Sequence, residues 1–264
     1  MDVTNFADDT LIYSSIKNPD NAQQLINKEF NNIVIWMNKN HLKLNTYKTK
    51  LIIFSPKAKK YDSLNQIHLT SGDNVNIEQV NSCKYLGMIL DKKLNWKAHI
   101  QNLKTQLSKI NGILFRIRYY LNKNSLDLIF NSLILNKINY GILCYGRAND
   151  TTLKPLRTTL NLSLRCINFL KRQDKRTAII YYEQGVLQLP DLFQLQVAKF
   201  CFKFNKNLLP SSFNQFFVRV SNIHHYGTRN SNINLYIPKQ NNLSGGKMLQ
   251  NLTLKYGLTC RKIY

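Results

Sequence analysis

The sequence predicts an α+β protein, with short strands and one helix over residues 1–95 and helices over most of the remaining chain. Three observations carry that prediction. Residues 3–13 and 67–90 hold short β-branched and aromatic runs separated by Asp, Asn, Ser and Gly. Residues 21–40 repeat apolar side chains at helical spacing between those runs. After Asp91 the apolar pattern stays helical for about 80 residues.

In chain order, Val3 to Phe6 and Thr10 to Tyr13 read as two strands joined through Ala7, Asp8 and Asp9, a β-hairpin. Asn18-Pro19-Asp20 breaks the chain and caps a helix, in which Leu25, Ile26, Phe30, Ile33, Trp36 and Met37 predict one buried face. Trp36 and Met37 read as core residues. The run Lys48-Thr49-Lys50-Leu51-Ile52-Ile53-Phe54, closed by Ser55-Pro56, predicts a strand that joins the first hairpin's sheet. Residues 67–69, 75–77 and 83–90 form a second cluster of strands around the turn Ser71-Gly72-Asp73-Asn74.

Three helices come next. Ile100, Leu103, Leu107, Ile110 and Leu114 mark the first, and Leu126, Ile129, Leu133 and Leu135 the second. Leu153, Leu156, Leu160, Leu164 and Ile167 mark the third, and short connections make the three a bundle. Residues 175–218 continue as helix with Phe193, Phe200, Phe202, Phe216 and Phe217 as anchors, interrupted at Leu209-Pro210-Ser211-Ser212. From His224 onward the periodicity fades and predicts loop.

Lys and Arg number 37 against 14 Asp and Glu, a formal net charge of +23, which points to a polyanionic partner, nucleic acid first. Residues 92–126 contain no acid and eight cations: Lys92, Lys93, Lys97, Lys104, Lys109, Arg116, Arg118 and Lys123, interleaved with Trp96, Phe115, Tyr119 and Tyr120. Such a segment can follow a phosphate backbone and stack rings on exposed bases. The competing reading places Trp96 and Phe115 in the core and makes the lysines a solvated face. No apolar run nears the roughly 18 residues of a membrane span, so no membrane partner is expected. The first 15 residues carry Asp2, Asp8 and Asp9 but no Lys or Arg, the reverse of a secretory leader, and a nuclear or cytoplasmic location is expected. Five widely spaced cysteines write neither a disulfide framework nor a metal knuckle, and His224, His225 and Cys260 have no ligand spacing.

Phe6-Ala7-Asp8-Asp9 is the sharpest motif, because adjacent carboxylates at a hairpin tip offer hard oxygen ligands to Mg²⁺. Alone, an Asp-Asp pair is ordinarily a solvated turn. Here it is succeeded in order by an amphipathic helix, by Trp36 and Asn40-His41-Leu42-Lys43-Leu44-Asn45, by Lys48-Thr49-Lys50 and a strand, and by Lys84-Tyr85-Leu86-Gly87. That order resembles the reverse transcriptases of non-LTR (LINE-type) retrotransposons. The resemblance implies a palm hairpin in which Asp8, with Asp9, holds Mg²⁺. It also implies a Lys48 near the departing pyrophosphate and a primer-grip hairpin at Tyr85, Leu86, Gly87 and Met88. Ile138, Tyr140, Gly141, Tyr145 and Gly146, and then Tyr226-Gly227-Thr228-Arg229, extend the likeness to about residue 240.

The resemblance implies residues 1–95 as a partial palm, 96–170 as a thumb-like bundle, 171–223 as a helical extension and 224–264 as an irregular basic tail. Its partners would be an RNA template and a DNA primer, with deoxynucleotides if the chain is active. The expected nucleic-acid contacts are Lys92, Lys93, Trp96, Lys97, Lys104, Lys109, Arg116 and Arg118. Only seven residues precede Asp8, so the family's fingers and first palm aspartate have no counterpart in this sequence, and the chain alone is expected to be inactive. A noncatalytic nucleic-acid-binding module and a nonfunctional relic are the alternatives.

Overall fold

The computed structural model describes residues 2–7, 9–15, 22–54, 69–70 and 76–215. It is a mixed α+β chain, with small open sheets followed by a long helical region. Two compact units divide it, Met1–Ala98 and His99–Tyr264.

In the first unit, β1 (Asp2–Phe6) and β2 (Asp9–Tyr13) pair antiparallel, from Asp2 opposite Tyr13 to Phe6 opposite Asp9. Every residue of β1 is exposed. Helix α1 (Ala22–Lys39) supplies Ile26 and Phe30 to a small core with Ile77, closed by Val34, Leu44, Leu51 and Ile53. Two sequence expectations do not hold here. Leu25 and Trp36 are exposed, because the buried stripe runs through positions 26, 30 and 34, one helical face, and both residues fall beside it. The strand expected over residues 48–54 shortens to β3 (Lys50–Leu51), and it pairs parallel with β5 (Asn76–Gln79), not with the first hairpin. Strand β4 (Leu69–Thr70) completes a sheet of order β3-β5-β4. Burial decides the pairing: Leu51 and Ile53 pack against the Phe30–Ile77 core, whereas the first hairpin buries no side chain among its described residues.

Strands β6 (Ser82–Tyr85) and β7 (Met88–Asp91) form a hairpin whose two-residue turn, Leu86-Gly87, has φ of 44° and 76°. Positive φ at both central residues is the primed turn that matches strand twist, which accounts for Gly87. Asp91 then shapes the exit, its carboxylate accepting the N–H groups of Lys93, Asn95 and Trp96 at 3.1, 3.1 and 2.9 Å.

The second unit is helical: α2 (Lys97–Ile117), α3 (Lys123–Ile129), α4 (Asn136–Asn139), α5 (Ile142–Tyr145), α6 (Asp150–Ile167), α7 (Thr177–Glu183) and α8 (Leu189–Asn205). The second expected helix is thus less regular than its leucine spacing suggests. It passes through a π-helical stretch, Phe130–Leu135, between α3 and α4, and it breaks at Gly141, whose φ is 66°. The extra residue per turn in the π stretch leaves Phe130, Ile134, Ile138 and Ile142 all buried. At the end of α5, Tyr145 is fully buried, donates its hydroxyl to the Ile138 carbonyl and packs on His99 with ring centroids 5.1 Å apart.

Helices α2 and α6 run parallel. Asn111 Nδ2 donates to the Thr159 carbonyl at 3.2 Å, Ser163 Oγ lies 2.7 Å from Asn111 Oδ1, and Arg118 reaches the Cys166 carbonyl at 3.4 Å. Each partner lies about fifty positions further along the chain, so the two helices advance in step. The residues after α8 form a short 3-10 turn, Ser211–Gln215; Phe216, Phe217 and everything beyond lie outside the described residues.

Candidate nucleic-acid interface

The basic positions of the 92–126 segment do not form one face. Along α2 the buried side is built by Ile100, Leu103, Leu107 and Leu114. At 3.6 residues per turn, Lys109 and Arg116 lie on the opposite, solvent side, while Lys97, Lys104 and Phe115 share the flank between. Lys97, Lys109 and Arg116 are exposed and Lys104 is half-buried. Among the described residues the charged heads of these four make no ion pair or hydrogen bond.

Parallel packing brings Lys154 of α6 to Lys104. The two lysines line an open cavity of about 320 Å³ with Thr151, Thr158, Thr159 and Pro155. The hydroxyls of Thr158 and Thr159 donate to the Lys154 and Pro155 carbonyls at 3.0 and 2.9 Å, so the two lysines are what this solvent-open depression offers an anion such as a backbone phosphate. Lys154 escapes a reading of the sequence, because it gains meaning only through the α2–α6 register.

Arg118 takes a different position from its neighbours. Its guanidinium lies 4.2 Å from the Phe115 ring centroid, 4.8 Å from Tyr119 and 5.2 Å from Phe169, and it donates to the Tyr119 hydroxyl at 2.8 Å. Phe115 is not a core residue: 58 % of it is exposed. Trp96 is half-buried at the end of the Asp91-organised turn, and Lys92 and Lys93 are exposed in that turn.

The residues with a catalytic expectation lie in separate elements of the first unit. Asp8 lies outside the described residues. Asp9 begins β2 as an exposed residue. Lys48 is exposed in a turn whose N–H donates to Asn45 Oδ1 at 3.1 Å. Tyr85 and Met88 face each other as the last pair of the β6–β7 ladder, both half-buried, with Leu86 and Gly87 as the turn itself. No group of three or more His, Cys, Asp or Glu that could hold a metal occurs among the described residues. Among the described residues, too, no helix is long and apolar enough to cross a membrane.

Burial sets the titration of the groups inside the helical unit. It pushes the imidazole of His99 below its ordinary range, and the phenols of Tyr145 and Tyr181 above theirs. The Cys166 thiol is raised by burial, partly offset by the nearby Arg118 charge. These groups belong to the interior rather than to the basic surface.

Comparison with protein-family models finds no match. Among curated proteins, the chain is 28 % identical over 98 residues to the "Probable RNA-directed DNA polymerase from transposon X-element" of Drosophila melanogaster. That stretch covers 36 % of this chain and 11 % of the relative's length. The similarity is a distant, partial homology to a transposon-associated protein of reverse-transcriptase type.

Proposed function

We propose that the chain is part of a non-LTR retrotransposon reverse transcriptase, and that its helical unit grips nucleic acid in the manner of a thumb. The observation that carries this reading is the α2–α6 surface, where Lys104 and Lys154 line an open cavity, and α2, which also presents Lys109 and Arg116 on its solvent side, has no acid to neutralise its cations. The partial similarity to the X-element protein supplies the class of enzyme to which such a grip belongs. In this reading residues 1–95 are the end of a palm, and Tyr85 to Met88 form a hairpin that positions a primer. Asp8, Asp9 and Lys48 serve Mg²⁺-dependent nucleotidyl transfer only in an assembly that adds a further carboxylate.

The test is fluorescence anisotropy of the full chain with a labelled duplex across a salt series. Binding is expected to weaken by about 0.9 log units per contacted phosphate for each log unit of salt. Neutralising Lys104, Lys109, Arg116 and Lys154 to Gln should flatten that slope by about 2 to 4. A flat salt response in the unaltered chain, or an unchanged slope in the variant, sinks the reading.

A further inference from the structure

The C-terminal ends of α2 and α6 carry a second feature, made from aromatic rings rather than lysines. Phe115, Tyr119 and Phe169 surround the Arg118 guanidinium, and the Tyr119 and Phe169 rings pack at 5.5 Å between centroids, tilted by 59°. Unlike an ordinary aromatic cluster this one is open: Phe115 is 58 % exposed, Tyr119 70 % and Phe169 46 %. The rings are held from within by a cation and leave much of their surface open to solvent.

Phe169 holds its place at a cost in backbone geometry. Helix α6 ends in the 6→1 and 5→2 pattern, Leu170 N–H to the Arg165 carbonyl at 3.0 Å and Phe169 N–H to the Cys166 carbonyl at 3.3 Å. The residue that closes such a cap is left-handed and is usually glycine. Here it is Phe169, at φ 56°. A bulky aromatic in that position has a steric disadvantage that only its ring can offset.

Immediately after Phe169 the chain enters an exposed loop, residues 171–176, with four cations and one acid. The loop is pinned: Arg165 donates to the carbonyls of Lys171 and Lys175 at 2.8 and 2.7 Å, and Asp174 accepts the Lys171 N–H. Lys175 pairs with Glu183. The side chains of Lys171, Arg172 and Arg176 make no ion pair or hydrogen bond among the described residues. Open rings are thus followed directly along the chain by unneutralised cations on a loop whose backbone is pinned in advance.

We propose that Phe115, Tyr119 and Phe169 form a stacking platform for unpaired bases of a single-stranded nucleic acid, with Lys171, Arg172 and Arg176 holding the adjoining phosphates. The proposal rests on the nucleic-acid reading above and places the unpaired end of the bound strand at this end of the α2–α6 surface. A protein partner that covered the rings would have to bury three uncompensated cations with them, whereas a nucleic acid brings base faces and phosphates together. Stacking is indifferent to sequence, so the platform discriminates strandedness rather than base identity.

The test compares a labelled single strand with its duplex, by anisotropy, on the full chain. Phe169→Gly relieves the cap while deleting a ring, so thermal stability is expected to hold while single-strand affinity falls by about tenfold or more and duplex affinity stays. Tyr119→Leu, which keeps apolar cover without a π-face, should show the same selective loss, and Tyr119→Trp should restore binding. Equal loss for both ligands, or no loss, overturns the platform while leaving the basic grip intact. Single-strand binding surviving both ring variants but lost on neutralising residues 171, 172 and 176 overturns stacking in favour of charge alone. No binding by the unaltered chain to either ligand overturns both readings.

Discussion

The buried polar clasp between α2 and α6 fixes the register that brings Lys104 and Lys154 to one cavity, and its energetics rest on three distances. Ser163 Oγ lies 2.7 Å from Asn111 Oδ1 and 2.9 Å from the Thr159 carbonyl, but a hydroxyl has one proton, so it serves one acceptor at a time. Asn111 Nδ2 donates to that same Thr159 carbonyl at 3.2 Å, and both side chains are buried. Ser163→Ala strips Asn111 Oδ1 of its donor, a buried unsatisfied acceptor costing about 1–3 kcal/mol. Asn111→Leu removes donor and acceptor together and lets Ser163 turn fully to Thr159, costing about 0.5–1.5 kcal/mol. The double variant leaves nothing polar unmatched, because the Thr159 carbonyl keeps its own helical N–H, so its cost should stay near about 1 kcal/mol rather than the sum. Urea unfolding followed by far-ultraviolet ellipticity measures the cycle. Additivity of the two single effects within about 0.5 kcal/mol would refute the argument that the pair is one coupled unit.

Gly146 approaches α8 so closely that a methyl group there would lie 2.5 Å from Phe193 Cδ2, a buried ring, so Gly146→Ala should destabilise the helical unit by about 1–3 kcal/mol in the same urea assay. Gly87 holds φ at 76° in the β6–β7 turn, and Gly87→Ala should cost about 1–2 kcal/mol, read as faster amide exchange across that hairpin. Burial lowers the pKa of His99, so its contribution to stability is complete above the ordinary value of 6.5 and is lost as pH falls toward the lowered value; His99→Phe should flatten that part of the pH–stability curve. In primer extension on an RNA template with Mg²⁺, the chain alone should incorporate no deoxynucleotide, and incorporation abolished by Asp8→Ala would overturn that expectation.

Local patterns were legible where one segment decides the outcome. The first hairpin, α1, α2 and α6 follow from alternation, helical spacing and turn residues within their own stretches, whereas the β6–β7 hairpin comes from the family resemblance and its turn at Leu86-Gly87 is not read from the pattern. What could not be read is what two distant segments decide jointly. Residues 50–51 pair with residues 78–79 because Leu51 and Ile53 find a core there, a competition that no local run of residues records. Trp36 belongs on a buried face by hydrophobicity alone, yet the stripe that the core selects, Ile26, Phe30 and Val34, leaves it to one side. The candidate interface divides the same way. Lys104, Lys109 and Arg116 stand out in an acid-free run, whereas Lys154 and Phe169 become partners of that run only through the parallel docking of α2 and α6. Phe115 and Arg118 reverse the usual assignment, the ring outward and the cation inward, because three rings together can shelter a guanidinium that one could not.

The charge balance gives this surface a consequence for stability as well as for binding. With a net charge of +23, the folded chain repels itself more than its unfolded form does, since folding brings like charges closer. Ion pairs do little to offset this: among the described residues there are four, Lys50–Glu78, Lys123–Asp127, Arg157–Asp150 and Lys175–Glu183, all on partly exposed side chains. The helical unit therefore depends on its apolar interior and on the α2–α6 clasp while its outer charges remain uncompensated. A polyanion lying against Lys104 and Lys154 would supply part of the missing counter-charge, and anything that binds only the folded form stabilises it in proportion to the logarithm of its concentration over its dissociation constant. If nucleic acid is that polyanion, the stabilisation it confers must decline with its affinity as salt rises, while salt screens the self-repulsion of the free chain.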